Sequence, residues 1–193
     1  MKPKFKITFN APVTLGFAML SFLVMVIGYI TNGTITQTYF MTYHSSLSSP
    51  MTYIRLFTHV LGHADWEHYI ANMSYILLLG PMLEEKYGSS RLIEVIAVTA
   101  FITGVIHYVF FWDAALCGAS GVCFAFILLA SFTSFRVGEI PLTVILVAAI
   151  FLGQQVYEGI ILQDDISNLA HIIGGVIGGV IGFSLNKKSK YGL

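Results

Sequence analysis

Charge is scarce in this sequence: only 10% of its 193 residues are Asp, Glu, Lys or Arg, against about 25% in a soluble domain. That excludes a water-soluble globule. Ten cationic side chains balance ten anionic ones, so no bulk charge marks a nucleic-acid binder or a receptor for acidic substrates. Cysteine is nearly missing too. Cys117 and Cys123, six apart in an apolar run, make neither a disulfide framework nor a metal-knuckle spacing, and read as small apolar residues. No internal repeat, low-complexity tract or second domain is visible. What the chain has in abundance is hydrocarbon. Hydrophobic residues make up 56% and mean hydropathy is +0.78, which makes lipid the solvent for most of the sequence.

A helix crossing a core of ~30 Å needs about 20 mostly apolar residues. Polar punctuation cuts this chain into six such pieces, near Val13–Ile30, His68–Leu83, Leu92–Phe111, Leu116–Phe132, Ile140–Tyr157 and Ile166–Leu185. The expectation is an all-α membrane protein, a six-transmembrane-helix bundle over residues 13–185, flanked by an N-terminal segment (1–12) and a basic tail (186–193). The first span follows Lys2, Lys4 and Lys6 but is longer than a signal h-region and leads into Thr31-Asn32-Gly33, not an A-x-A site. It reads as a retained anchor.

Six spans place both termini on one side. With Lys86, Arg91, Arg136, Lys187, Lys188 and Lys190 added to the first three lysines, nine of the ten cationic residues fall on that side, and only Arg55 on the other. The positive-inside rule makes the shared side cytoplasmic. The outer connection over 31–67 is long and rich in aromatics (Tyr39, Phe40, Tyr43, Tyr53, Phe57, Trp66), which predicts short amphipathic helices at the interface.

Polar side chains inside spans are costly, hence functional candidates. They are His68 and Asn72 on span 2, Glu94 and His107 on span 3, Ser120 on span 4, Gln154 and Gln155 on span 5, and His171 on span 6. Spans 2, 4 and 6 run the same way, from outside in. At 1.5 Å per residue, Ser120 lies about 6 Å below Leu116, His171 about 7 Å below Ile166 and Asn72 about 6 Å below His68. One outer layer therefore holds a nucleophile, a base and two hydrogen-bond donors. Span 6 carries Gly174, Gly178 and Gly182, and span 4 carries Gly121 and Ala125. These form a small-xxx-small seam that allows close backbone approach. Read singly, Ser120 also fits a serine bonded to its own helix and His171 an interhelical donor. No carboxylate lies near this layer, so a Ser–His dyad is favoured over a triad.

Gly118-Ala119-Ser120-Gly121, Ala170-His171-Ile172-Ile173-Gly174 and His68-Tyr69-Ile70-Ala71-Asn72 resemble the motifs of the rhomboid intramembrane serine proteases. The similarity extends through Arg55-Leu56-Phe57-Thr58-His59 and through Gly80-Pro81-Met82-Leu83-Glu84-Glu85-Lys86-Tyr87-Gly88, from about Tyr53 to Phe183. The resemblance implies Ser120 as nucleophile, His171 as general base and then acid, and an oxyanion site made by the Ser120 N–H, His68 and Asn72. It also implies Phe124 as the aromatic packed against the imidazole, with Gly118, Gly121, Gly174 and Gly178 in support. Ile54 stands where rhomboids often have Trp, and Leu128 where they often have Gly. The implied substrates are single-span transmembrane proteins in the lipid bilayer, with no cofactor, no metal and no nucleic acid. Local wording, including Gly138-Glu139-Ile140-Pro141-Leu142-Thr143, resembles that of bacterial plasma-membrane members of the minimal six-helix form.

Two other classes compete. A non-catalytic rhomboid-like binder of membrane segments would normally have lost the serine or the histidine; a transporter or channel calls for interrupted spans, charge pairs at mid-depth or an inverted repeat. Gln154 and Gln155 read as interface residues or as a border of the substrate entrance. His59 and His63, four apart and close to Asp65, Glu67 and His68, permit a metal reading, but no H-E-x-x-H is present and loop packing suffices. His44 and His107 read as interface histidines.

Overall fold

A capping carboxylate and a glycine set where the helix Trp66–Tyr87, which carries two of the expected site residues, begins and ends. The structure, a computed structural model, describes residues 7–134, 139–162 and 165–188; Lys2, Lys4, Lys6, Arg136, Gly138, Gln163, Asp164 and Lys190 lie outside them. Among the described residues there are eight α-helices: α1 (Pro12–Ile30), α2 (Thr34–Tyr39), α3 (Pro50–Thr58), α4 (Trp66–Tyr87), α5 (Ser89–Phe110), α6 (Ser120–Ser131), α7 (Leu142–Leu162) and α8 (Asp165–Lys188). Asp65 caps α4, its carboxylate accepting from the His68 amide at 2.8 Å. Gly88, at φ 83°, turns the chain between α4 and α5 in a backbone conformation that suits only glycine.

Glu84 joins the first two long helices. Its carboxylate accepts from the amides of Val13 (2.9 Å) and Thr14 (3.0 Å) and from the hydroxyls of Thr14 (2.9 Å) and Ser89 (2.8 Å). A negative group there satisfies orphan amides at the start of α1 and complements its dipole. Gly80, one turn earlier on α4, makes room for the contact, since a Cβ there would stand 2.5 Å from Thr14 Cγ2.

α6 is the central helix, packed chiefly against α8 and also touching α4, α5 and α7. Its surroundings explain its composition: Val122, Cys123, Ala125, Phe126 and Leu129 are all buried. With 12 residues it is about 18 Å long, against about 33 Å for the 22-residue helices α4 and α5.

The fourth apolar run thus departs from the continuous helix expected over Leu116–Phe132. Ala115–Leu116 form a short strand, β2, antiparallel to β1 (Thr42–Tyr43), with Thr42 opposite Leu116. Gly118 follows at φ 125°, which no right-handed helix accommodates. Extended chain therefore replaces the helical rise expected between Leu116 and Ser120, and Ser120 becomes the first residue of α6. Apolarity alone did not distinguish these two routes into the bundle.

The long connection between α1 and α4 contains α2, β1, α3 and a 3-10 turn at His59–Leu61. It is held from several sides. β1 pairs with β2, the Gly118 amide donates to the His59 carbonyl at 2.9 Å, and Leu56 O lies 2.7 Å from where a Cβ on Gly104 of α5 would be. Arg55 is buried, with its guanidinium 4.2 Å above the Tyr43 ring.

Large apolar side chains face outward along the long helices, among them Ile30 (71% exposed), Leu78 (73%) and Phe110 (70%). In water such a surface would drive association; in lipid it is the ordinary outer face of an integral membrane protein. Among the described residues, three helical stretches are long and apolar enough to cross a membrane: Pro12–Ile30, Ser89–Phe110 and Asn168–Asn186. Ser120–Ser131 and Leu142–Gln155 are apolar but shorter.

Candidate active site

Backbone contact between α6 and α8 fixes the register of the site. A Cβ on Gly174 would lie 2.0 Å from the Gly121 carbonyl oxygen, and one on Gly178 would lie 2.1 Å from that of Ala125. Gly182 continues the seam against Phe132. The glycine spacing therefore brings the two backbones into direct contact, with Ala170 O 3.3 Å from the Cβ position of Gly121. His171, next in sequence to Ala170, is carried to the first turn of α6. There its ring lies flat on Phe124, with centroids 4.4 Å apart and planes 5° apart.

A cavity of about 310 Å³ opens at this level, and Ser120, His171, His68 and Asn72 all line it. The residues come from three helices. Ser120 stands at the N-terminus of α6, where the first amides have no partner within the helix and the dipole is positive. His68 and Asn72 share one face of α4. Gly118 runs against both, since a Cβ there would lie 2.5 Å from His68 Cε1 and 3.6 Å from Asn72 Nδ2. Cys123, one turn into α6, approaches Asn72 from behind, its Sγ 3.4 Å from the backbone oxygen and 3.7 Å from Oδ1. With the amide oxygen facing the thiol, Nδ2 is the end left over; it is buried and has no protein acceptor among the described residues. A donor in that state on a cavity wall is available to a developing negative charge.

Helix α7 places one of the two glutamines, expected as interface residues or a border of the substrate entrance, directly against His171. Gln155 is only 3% exposed and its Oε1 lies 2.5 Å from His171 Nδ1. Gln154, beside it, is exposed at the cavity edge. A buried amide needs a partner, and the only sequence signal was two adjacent glutamines in an apolar span. Nothing local paired them with a histidine across a helix junction.

The remaining histidines go to packing. His59 Nε2 donates to the Ala100 carbonyl at 3.0 Å, and burial pushes its pKa down to about 4. His63 stands edge-on to the rings of His68 and Tyr69, and burial, helped by the neighbouring His68, holds it also at about 4. Both are neutral at pH 7, and they bond and pack in different directions rather than converging on one point. His44 stacks on Trp112 at 4.2 Å, and His107 Nε2 donates to the Ala114 carbonyl at 3.1 Å.

A family model described as Rhomboid domain matches residues 50–188. Rhomboid protease GlpG of Haemophilus influenzae is 28% identical over 145 residues, covering 72% of this chain and 73% of that protein. Rhomboid protease GlpG of Serratia proteamaculans is 27% identical over 176 residues, with 89% and 62% covered. RHOMBOID-like protein 7 of Arabidopsis thaliana is 30% identical over 138 residues, covering 68% of this chain but only 42% of the relative.

Proposed function

The chain belongs to the rhomboid family, and on that premise we propose that it is an intramembrane serine endopeptidase in which Ser120 is the nucleophile and His171 the general base. One observation carries the reading: Ser120, His171, His68 and Asn72, from three helices, line a single cavity at the start of the central helix. The bundle has six spans with both termini cytoplasmic, in a bacterial plasma membrane. The site uses no metal or other cofactor.

Catalysis proceeds by acyl transfer. His171 takes the Ser120 hydroxyl proton as Oγ attacks the scissile carbonyl, giving an oxyanion held by the Ser120 amide and the His68 and Asn72 side chains. The imidazolium returns that proton to the leaving nitrogen as the C–N bond breaks. Water, activated by the same imidazole, then hydrolyses the ester and frees Ser120. Both steps need water and an unwound peptide, because carbonyls within a helix are already bonded. The short α6 supplies the place, since its first residue lies deep relative to the longer helices around it. Substrates are single-span membrane proteins cut near the outer end of the span, where Gly, Ser or Pro unwinds more cheaply than Leu.

The test is cleavage of a single-span reporter protein co-reconstituted in liposomes. Ser120→Ala and His171→Ala are expected to lower turnover by at least about 1,000-fold without altering thermal unfolding. Unchanged cleavage by either variant refutes the assignment. A folded wild-type protein that binds the reporter but never cuts it would instead favour the binding-only reading.

A further inference from the structure

We propose that Gln155 is the positioning residue for His171, fixing the tautomer that lets Nε2 act as the base; the proposal rests on the protease reading above and adds to the dyad a neutral third member. The geometry is specific. Gln155 Oε1 and His171 Nδ1 are 2.5 Å apart, and the amide is buried. An amide oxygen can only accept, so Nδ1 carries the proton. A neutral imidazole has one N–H, so with Nδ1 protonated Nε2 is the basic nitrogen. α7 fixes the ring in a second way. Phe151, one turn before Gln155 and on the same face, stands edge-on to Phe124 at 5.5 Å, and Phe124 lies flat on His171. The imidazole is therefore held on a face by Phe124 and at an edge by Gln155.

A neutral partner changes the chemistry relative to a carboxylate. A buried acid beside the ring would raise the imidazole pKa and itself carry a large desolvation penalty. The carbonyl of Gln155 orients the ring without adding charge. During attack the proton passes from Oγ to Nε2 and then to the leaving nitrogen. The Nδ1–H stays on Gln155 throughout, in a hydrogen bond strengthened while the ring is cationic. Other titratable side chains on the cavity wall are His68 and Tyr75 from α4, Cys117 from the stretch between β2 and α6, and Cys123 from α6; no acidic or cationic residue lines it among the described residues.

Two readouts test this. The first is 15N NMR of histidine-labelled protein in detergent, with His171 assigned by its loss in His171→Ala. The neutral wild-type ring is expected to be protonated at Nδ1, and Gln155→Leu is expected to convert it to the Nε2–H form or a mixture. An Nε2–H tautomer in the wild-type protein means that the amide is turned round and donates, and overturns the proposal. The second is the pH profile of reporter cleavage. Gln155→Leu should lower kcat by about 10- to 100-fold with KM little changed, whereas Gln155→Glu should move the acidic limb of kcat/KM up by about one pH unit or more. Wild-type kcat and pH profile in both variants also overturn it. The tautomer is read without substrate, so an Nδ1–H ring in a protein that never cleaves would sink the protease reading alone. Normal cleavage indifferent to position 155 would sink only the role of Gln155.

Discussion

Gly118 shows how one residue serves both backbone and site. Its φ of 125° is closed to other residues, and any side chain there would collide with the His68 ring. Gly118→Ala should therefore displace His68 and cost about 100-fold in kcat, comparable to losing one oxyanion donor, while detergent-solubilised protein still unfolds cooperatively; wild-type kcat in a folded variant would contradict the placement. At this scale the sequence was informative where residues repeat a depth. Ser120, His171, His68 and Asn72 stand out in the sequence because polar groups in lipid are costly and these four fall at similar distances from the same ends of the expected spans. Gln155 stands out as polar too, but its pairing with His171 does not, because that partner is 16 residues away on another helix and the relative rotation of two helices is not written in either one. The amide orientation of Asn72 was hidden for the same reason, since it depends on Cys123, which read as a small apolar residue.

Among the elements, the α6–α8 seam does most to assemble the site, and its glycines differ sharply in what they tolerate. Gly178 sits with its would-be Cβ 2.1 Å from the Ala125 carbonyl oxygen, whereas that of adjacent Gly179 has nothing nearer than Phe132 Cε2 at 3.9 Å. Gly178→Val should force the helices apart, destabilise the protein by about 1–3 kcal/mol and lower kcat by about 100-fold through misplacement of His171 relative to Ser120. Gly179→Ala should leave cleavage intact and raise the unfolding temperature slightly, because alanine favours a helix by about 0.5–1 kcal/mol over glycine. Equal effects of the two would mean that the seam does not set the geometry. This contact was legible from the four-residue glycine spacing. The start of α6 was not, because Leu116 through Ser120 is as apolar as a helix interior, and what takes it out of helical conformation is the pairing of β2 with a strand more than 70 residues earlier together with the positive φ of Gly118.

Over the whole molecule, low charge and long apolar runs were enough to specify a mostly helical membrane protein, and the outward-facing Leu78, Phe110 and Ile30 are the structural side of the same composition. What composition did not encode is the nesting of a short helix among longer ones, with the polar layer lining a cavity of about 310 Å³ at its start. The proposed function makes a definite chemical claim about that layer: Ser120 is an activated nucleophile. The most direct measurement is reaction of the purified wild-type protein with a fluorophosphonate, mapping the adduct by mass spectrometry beside Ser120→Ala and His171→Ala. The account predicts a single adduct on Ser120 that is lost in both variants. A folded wild-type protein that gives no adduct, or one that labels equally well without His171, would contradict it.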